Sequence, residues 1–397
     1  MKSIYLWIFL LFLSGMELFA QQPLYPLLKK RSWSQILEEN IFQWRPPYTI
    51  NLLIQPVHSP DWIYVNPSMA VSRRHVTEDV STTDAEKRRR ANSQSDLVVQ
   101  FAFDEPAFIP DFRLTNLSLD SNKYPVATAD YFANDIYYKI EYAATSLDTS
   151  QTILSMYVSI KNEGDHERNV HVRSNVGYFP ENQMFDYHYI PYSWKTDKWK
   201  TDKRISMKNQ LLYKDDRMIG KVVSDRMNVE WETSRQYTDK QYEDILYPQV
   251  WYGSGYALPE FRLKDIQNVV HASGKVNPGE SVGFSLMLLV NDTCIKSLHQ
   301  DALKEMTASD IKENAIAGFK SQFTDQTITV DFPTNKWSDI LTELQLNTLQ
   351  LLIQYPNKDC FQPAQGGSSE RFYVWVFEAV QMLRPLLRTG QFEAVRK

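Results

Sequence analysis

The residue types best able to do chemistry gather near the C-terminus, between Gln362 and Ala379. Gly366-Gly367 lets a backbone approach a ligand closely, since no Cβ stands in the way. Glu370 and Arg371 follow. Tyr373, Trp375 and Glu378 would then present two ring faces and a carboxylate from the start of a helix. Rings stack on the C–H faces of a sugar and a carboxylate takes its hydroxyl hydrogens, so the set fits carbohydrate. It fits equally a tight interhelical turn with Tyr373 and Trp375 in the core, and both readings stand. A second aromatic segment, Tyr178 to Trp199, carries Tyr178, Phe179, Phe185, Tyr187, Tyr189, Tyr192, Trp194 and Trp199 among Pro, Asp, Asn and Lys. Loops seldom bury so many rings. This one is expected to fold back as a lid or to line a cleft, with Trp194 as a ring that meets substrate.

Other candidates read as structural. Asp215-Asp216 and Glu243-Asp244 sit in polar stretches and are expected at the surface, so no general acid or base is named among them. His166 and His171 flank a turn with no acid or thiol at ligand intervals, so no metal site is expected. No cofactor is implied. Cys294 and Cys360, the only cysteines, read as two separate buried thiols; two do not make a disulfide framework.

The elements that must position these residues change character along the chain. From about residue 45 to 290 the pattern is strand-like. TINLLI at Thr49–Ile54, LVVQFAF at Leu97–Phe103, IYYKIEY at Ile136–Tyr142 and TILSMYVSIK at Thr152–Lys161 are rich in β-branched and aromatic residues, and several alternate with period two. Asn162-Glu163-Gly164-Asp165 turns the chain into a returning strand, Arg168–Asn175. Further strands are expected at Leu211–Tyr213, Met218–Val223, Val229–Thr233 and Ser281–Val290, the last after the turn Asn277-Pro278-Gly279-Glu280. Without strand–helix alternation, the expected fold is mainly β: a large antiparallel β-sandwich. The polar stretch Thr77–Ser95, with Lys87-Arg88-Arg89-Arg90, reads as a solvated loop or short helix.

After Cys294 the spacing turns helical. Leu298, Leu303, Met306, Ile311 and Ala315 predict a helical linker over Lys296–Phe323. Thr327–Phe332 reads as a short extended piece, and Trp337–Tyr355 as a helix whose apolar stripe is wide enough for burial on more than one side. A loop over Cys360–Arg371, a helix over Phe372–Arg388 and a third helix from Gln391 complete the reading. The resulting organisation is residues 1–20 as a signal peptide, 21–295 as the β-sandwich, 296–335 as the linker and 336–397 as the start of a helical domain.

The N-terminus carries Met1-Lys2, an apolar run Ile4–Leu13 and a small residue, Ala20, before Gln21-Gln22. That is the pattern of a cleaved export signal, too short to span a bilayer. A periplasmic or secreted protein without an integral span after cleavage is expected. A net charge of −5 argues against nucleic acid as a partner. The 22 Tyr, 20 Phe and 10 Trp serve core and sheet packing, with sugar clefts as the main functional use of such enrichment.

A β-sandwich, a helical linker and a hairpin whose loop ends in Tyr373-Val374-Trp375-Val376-Phe377-Glu378-Ala379 resembles the bacterial six-hairpin glycosidases, including the glucoamylase-like enzymes. The resemblance implies an N-terminal supersandwich followed by an (α/α)6 toroid, here only its first hairpin or hairpins. In the glucoamylase-like pattern this element supplies an Arg-Asp pair that grips the terminal sugar; here Phe377 and Glu378 stand in those places, so the sugar-gripping role passes to Glu378. Such enzymes draw their catalytic acid and base from later hairpins. The resemblance thus implies the front portion of an exported glycoside hydrolase, acting on oligo- or polysaccharide, with catalysis carried beyond Lys397. A non-catalytic exported carbohydrate-binding sandwich is the alternative.

Overall fold

Strands alternate as their sequences require. In Ile136–Asp148 (β7), Ile136, Tyr138, Ile140 and Tyr142 are fully buried while Tyr137, Lys139 and Glu141 on the opposite face are not. The computed structural model describes residues 52–65, 69–75, 96–105, 107–108, 110, 115–121, 123–179, 205–236, 265–325, 327–328, 330, 335–354, 359–363 and 376–396.

Two antiparallel sheets form a sandwich. The seven-stranded sheet runs, edge to edge, through β1 (Leu52–Leu53), β2 (Asp61–Val65), β3 (Val71–His75), β4 (Asp96–Phe103), β9 (Arg168–Phe179), β14 (Asp265–Val276) and β13 (Asn228–Gln236). The eight-stranded sheet runs through β10 (Ile205–Lys208), β11 (Leu211–Lys214), β12 (Arg217–Ser224), β15 (Ser281–Leu289), β8 (Gln151–Asn162), β7, β6 (Tyr124–Ala133) and β5 (Asn116–Asp120). Neither sheet closes into a barrel. Hairpin turns follow local chemistry: Asn134-Asp135, Asn209-Gln210 and Asp215-Asp216 each place two consecutive residues at positive φ, the two-residue turn that matches strand twist. Asp215 and Asp216 are exposed, as expected.

One apolar cluster from both inner faces fills the space between the sheets, including Phe101, Phe103, Tyr138, Tyr142, Phe284 and Leu286. Tyr138, Tyr142 and Tyr178 carry polar tips into the core, and each finds an acceptor. Tyr178 Oη donates to Leu289 O at 2.6 Å and Tyr138 Oη to Asp104 Oδ2 at 2.9 Å. A buried ion pair within the seven-stranded sheet is tied across the sandwich by one hydrogen bond. Arg73 donates from Nε to Asp61 Oδ1 at 2.9 Å, and Thr152 of the other sheet donates to Asp61 Oδ2 at 3.2 Å. Lys214 and Asp292 form a second buried pair, with the Lys214 ammonium 5.0 Å from the Tyr178 ring centroid. Tyr178 and Phe179 therefore belong to β9, and Tyr178 is core. The rest of the aromatic segment, residues 180–199 with Trp194, lies outside the described residues.

Helices α1 (Ser297–Glu305) and α2 (Ala308–Lys320) lie on the outer face of the eight-stranded sheet. Leu303, Ile311 and Ala315 pack there on Val126, Ala143, Ile153, Met287 and Leu289. Thr307 and Asp310 form a capping box at the start of α2, and Lys221 of the sheet donates to the carbonyls of Lys304 and Met306 at the end of α1, each at 2.7 Å. Asp148, at the β7–β8 turn, receives Lys296 Nζ and the Nε2–H of the fully buried His299, each at 2.9 Å. Burial pushes the Asp148 carboxyl up, but the hydrogen bonds from Lys296, Ser150 and His299 outweigh it and hold it well below the usual carboxylate range. Asp104, just after β4, is the opposite case: burial raises it above the usual range against the lowering effects of Tyr138, Arg168 and His171.

Past α2, α3 (Asn335–Gln350) ends earlier than its periodicity predicts. Leu352–Gln354 (β16) is a strand, paired antiparallel with Phe361–Pro363 (β17), where a loop was expected. The reason is tertiary. Gln350 and Gln55 are fully buried and each donates its amide to the other's backbone carbonyl at 2.8 Å, stopping the helix against the sandwich. Ile353 then packs on Trp62 and Tyr64. Helix α3 is also buried on one side only: Leu346 and Leu349 are covered, whereas Trp337 and Leu344 are exposed. Helices α4 (Val376–Arg388) and α5 (Phe392–Arg396) follow, joined at Gly390, whose φ of 82° is the left-handed conformation that ends α4. Both cysteines are free, as expected, but neither is buried: Cys294 is half-buried and Cys360 exposed. Residues 1–51, including the expected signal peptide, lie outside the described residues. Among the described residues no helix is long and apolar enough to cross a membrane.

Candidate functional site

His58 begins the site. It sits in a tight turn before β2 with φ of 61°, a conformation open to few side chains, and its carbonyl accepts from Gln354 N at 2.9 Å. Its ring lies flat on Phe361, centroids 4.0 Å apart and planes 18° from parallel. Nδ1 is 2.7 Å from Leu352 O, so it carries the proton and donates. Nε2 faces the Gln322 carboxamide at 3.2 Å. The histidine thus fastens the β16–β17 hairpin to the sandwich and sets Phe361 as one wall of a cleft.

Helix α2 supplies the next wall through its C-terminal neighbours Ser321, Gln322 and Thr324; the α4–α5 turn supplies Gln391 and Phe392. Gln391 is nearly buried and donates its side-chain amide to Thr327 Oγ1 at 3.3 Å. Phe392 is about half exposed at the mouth. The cleft encloses roughly 640 Å³, within the usual range for small-molecule sites. Its described lining is two phenyl rings, an imidazole, carboxamides, hydroxyls and one ion pair. The one carboxylate among the described lining residues, Glu393, is paired with Arg396. Such a surface can stack on an apolar ring face and hydrogen-bond to neutral hydroxyls. A pair of carboxylates set across a scissile bond, which glycoside hydrolysis requires, is not found among its described residues.

Of the residues expected to bind substrate, Glu370, Arg371, Tyr373, Trp375 and Trp194 lie outside the described residues. Glu378 falls in the first turn of α4, and its side chain is likewise outside them. In sequence, β17 with Phe361 comes just before residues 364–375 and α4 directly after them. His58, Gln322 and Phe392 carried no signal in the sequence, because the contact between His58 and the hairpin spans about 300 residues of chain.

No protein-family model matches the sequence, and no curated protein matches it. Solved structures do. One, described as a kojibiose phosphorylase from human microbiome, is 8% identical with a TM-score of 0.32, over 75% of this chain and 39% of that one. A glycosyl hydrolase of family GH92 is 8% identical with a TM-score of 0.29, over 76% and 39%. A polysaccharide lyase is 10% identical with a TM-score of 0.23, over 68% and 35%. The chain spans about two-fifths of the length of these structures. Likeness this distant says nothing of chemistry.

Proposed function

We propose that this chain is an exported carbohydrate-binding protein that holds a neutral sugar in the cleft between the sandwich edge and the C-terminal hairpin. The observation that carries the reading is the described lining: Phe361 and Phe392 beside Gln322, Thr324, Gln354 and Gln391, with the one carboxylate among these described residues neutralised by Arg396. Stacking and amide–hydroxyl hydrogen bonds are the two interactions a sugar offers, and a neutral surface selects against charged ligands. The wider reading, that binding serves a glycoside-hydrolysing protein whose acid and base lie elsewhere, rests on the resemblance of Tyr373–Ala379 to the glucoamylase-like element.

Titration calorimetry with neutral oligosaccharides tests the cleft. Phe392 is half exposed, so Phe392→Ala leaves the fold intact and is expected to weaken binding roughly five- to tenfold through loss of one stacking face. Unchanged affinity in that variant, or no heat at millimolar sugar, would sink the reading. Export is checked separately: mass spectrometry of protein from an export-competent host is expected to give a chain starting at Gln21, and a chain retaining Met1 would overturn it.

A further inference from the structure

The outer face of the seven-stranded sheet holds a group of polar side chains that the cleft does not use. Register places them. On three adjacent strands, Gln100 (β4) lies opposite Asn175 (β9), and Arg173, two residues along β9 on the same face, lies opposite His271 (β14). Opposite residues stand about 5 Å apart and same-face neighbours about 7 Å, so these form one compact patch. All point away from the core, because Val99, Phe101, Val172, Val176, Val270 and Ala272 take the inner positions of the same strands.

Outward-facing polar residues ordinarily end in water, yet Gln100 and Arg173 are each only 3% exposed. Gln100 Oε1, Asn175 Oδ1 and Arg173 Nε are buried without a hydrogen-bond partner. The rest of the patch is joined by ion pairs and hydrogen bonds. Arg173 donates to Asp104 O at 3.0 Å and to Glu105 at 2.6 Å, with Glu232 4.0 Å from Nε. Glu232 also accepts from His271 Nδ1 at 2.9 Å, and His271 Nε2 is 3.1 Å from His171 Nδ1.

We infer that this patch is a second ligand site, separate from the cleft, and that its ligand is a neutral polyhydroxylated compound, a sugar. The unmatched atoms that face no charged partner are two amide oxygens, which need O–H donors. Adjacent hydroxyls serve both. An anion is disfavoured because Arg173 already answers Glu105 and Glu232, and a buried amide oxygen repels a carboxylate. A buried polar atom without a partner is costly, so it is retained where a partner arrives with function.

The test uses the full chain, its Gln100→Leu and Asn175→Leu variants, and Phe392→Ala of the cleft. Glucose, mannose, galactose, xylose and their disaccharides are the probes, read by saturation-transfer NMR and titration. Leucine matches asparagine in shape, is close to glutamine in size, and removes the two oxygens that have no partner in the protein, so each variant is expected to unfold at the same temperature or higher. Each is also expected to weaken one sugar-binding event about tenfold, one hydrogen bond's worth, while Phe392→Ala leaves that event untouched. A lowered unfolding midpoint in the leucine variants would make the amides structural and overturn the inference. Sugar binding that responds to Phe392→Ala and to neither leucine variant would overturn it as well, leaving the cleft reading intact. Binding that responds only to the leucine variants would reject the cleft and keep this site.

Discussion

The two outer faces of the sandwich are built on the same period-two alternation and end in opposite chemistry. On the eight-stranded sheet the outward positions are Val126, Ala143, Ile153, Met287 and Leu289, and α1 and α2 close over them. On three adjacent strands of the seven-stranded sheet they are Gln100, Arg173, Asn175, His171 and His271, joined by ion pairs and hydrogen bonds with atoms left over. Alternation says only that a strand has a second face. What that face is for depends on residue type: an apolar face gains free energy by being covered for good, whereas a polar face buried with unmatched atoms gains it only when a partner binds.

The sharpest way to break this contrast is to remove apolar volume from the covered face. Ile311→Ala takes a fully buried side chain from α2 and is expected to cost about 2–4 kcal/mol by chemical denaturation. A cost below about 1 kcal/mol would mean that α2 merely rests on the sheet.

Two carboxylates sharpen the contrast with smaller effects of opposite sign. Asp148, which anchors α1, has a folded pKa below its unfolded value of about 3.9. Its stabilisation is therefore complete above that value and is lost as pH falls toward the folded pKa. Asp148→Asn is expected to cost about 1–2 kcal/mol at neutral pH, with the gap to wild type closing below about pH 4. Asp104, beside the polar patch and faced by Arg168, His171, Glu105 and Tyr138, has a raised folded pKa, so its charge costs stability once pH exceeds its unfolded value. Asn at this position still accepts from Tyr138 and tolerates the φ of 63°. Asp104→Asn is expected to add about 0.5–1 kcal/mol at pH 7 and nothing below about pH 3. Thermal unfolding across pH reads both variants, and slopes of the same sign would refute the assignment.

Legibility in the sequence followed the strength of local pattern. Strands β4, β7, β8, β9 and β15 were readable because their inward residues are large and regularly spaced. Strand β14 was not: DIQNVVHASGKV places Asn268, Ala272 and Gly274 where a reader expects bulk. Missing β14 meant missing His271, and with it the pairing that gives His171 a role; the two are 100 residues apart and meet only through strand register. The helix over Trp337–Tyr355 was readable in its first four turns and wrong at its end, because Gln350 answers to Gln55 rather than to its own helix.

The chain's own sequence determined the mainly β architecture, the helical character after Cys294, the two-residue turns at Asn134-Asp135 and Asp215-Asp216, and the surface position of that acidic pair. These depend on side-chain period, backbone preference and polarity, which act over a few residues. Tertiary structure alone decided which sheet face is closed by helices, where α3 gives way to a hairpin, and that His58 meets Phe361. It also decided that Gln100, Asn175 and Arg173 come together on one face with unmatched atoms. Each of these is a contact between residues distant in sequence, and its energy exists only once both partners have been brought to the same place.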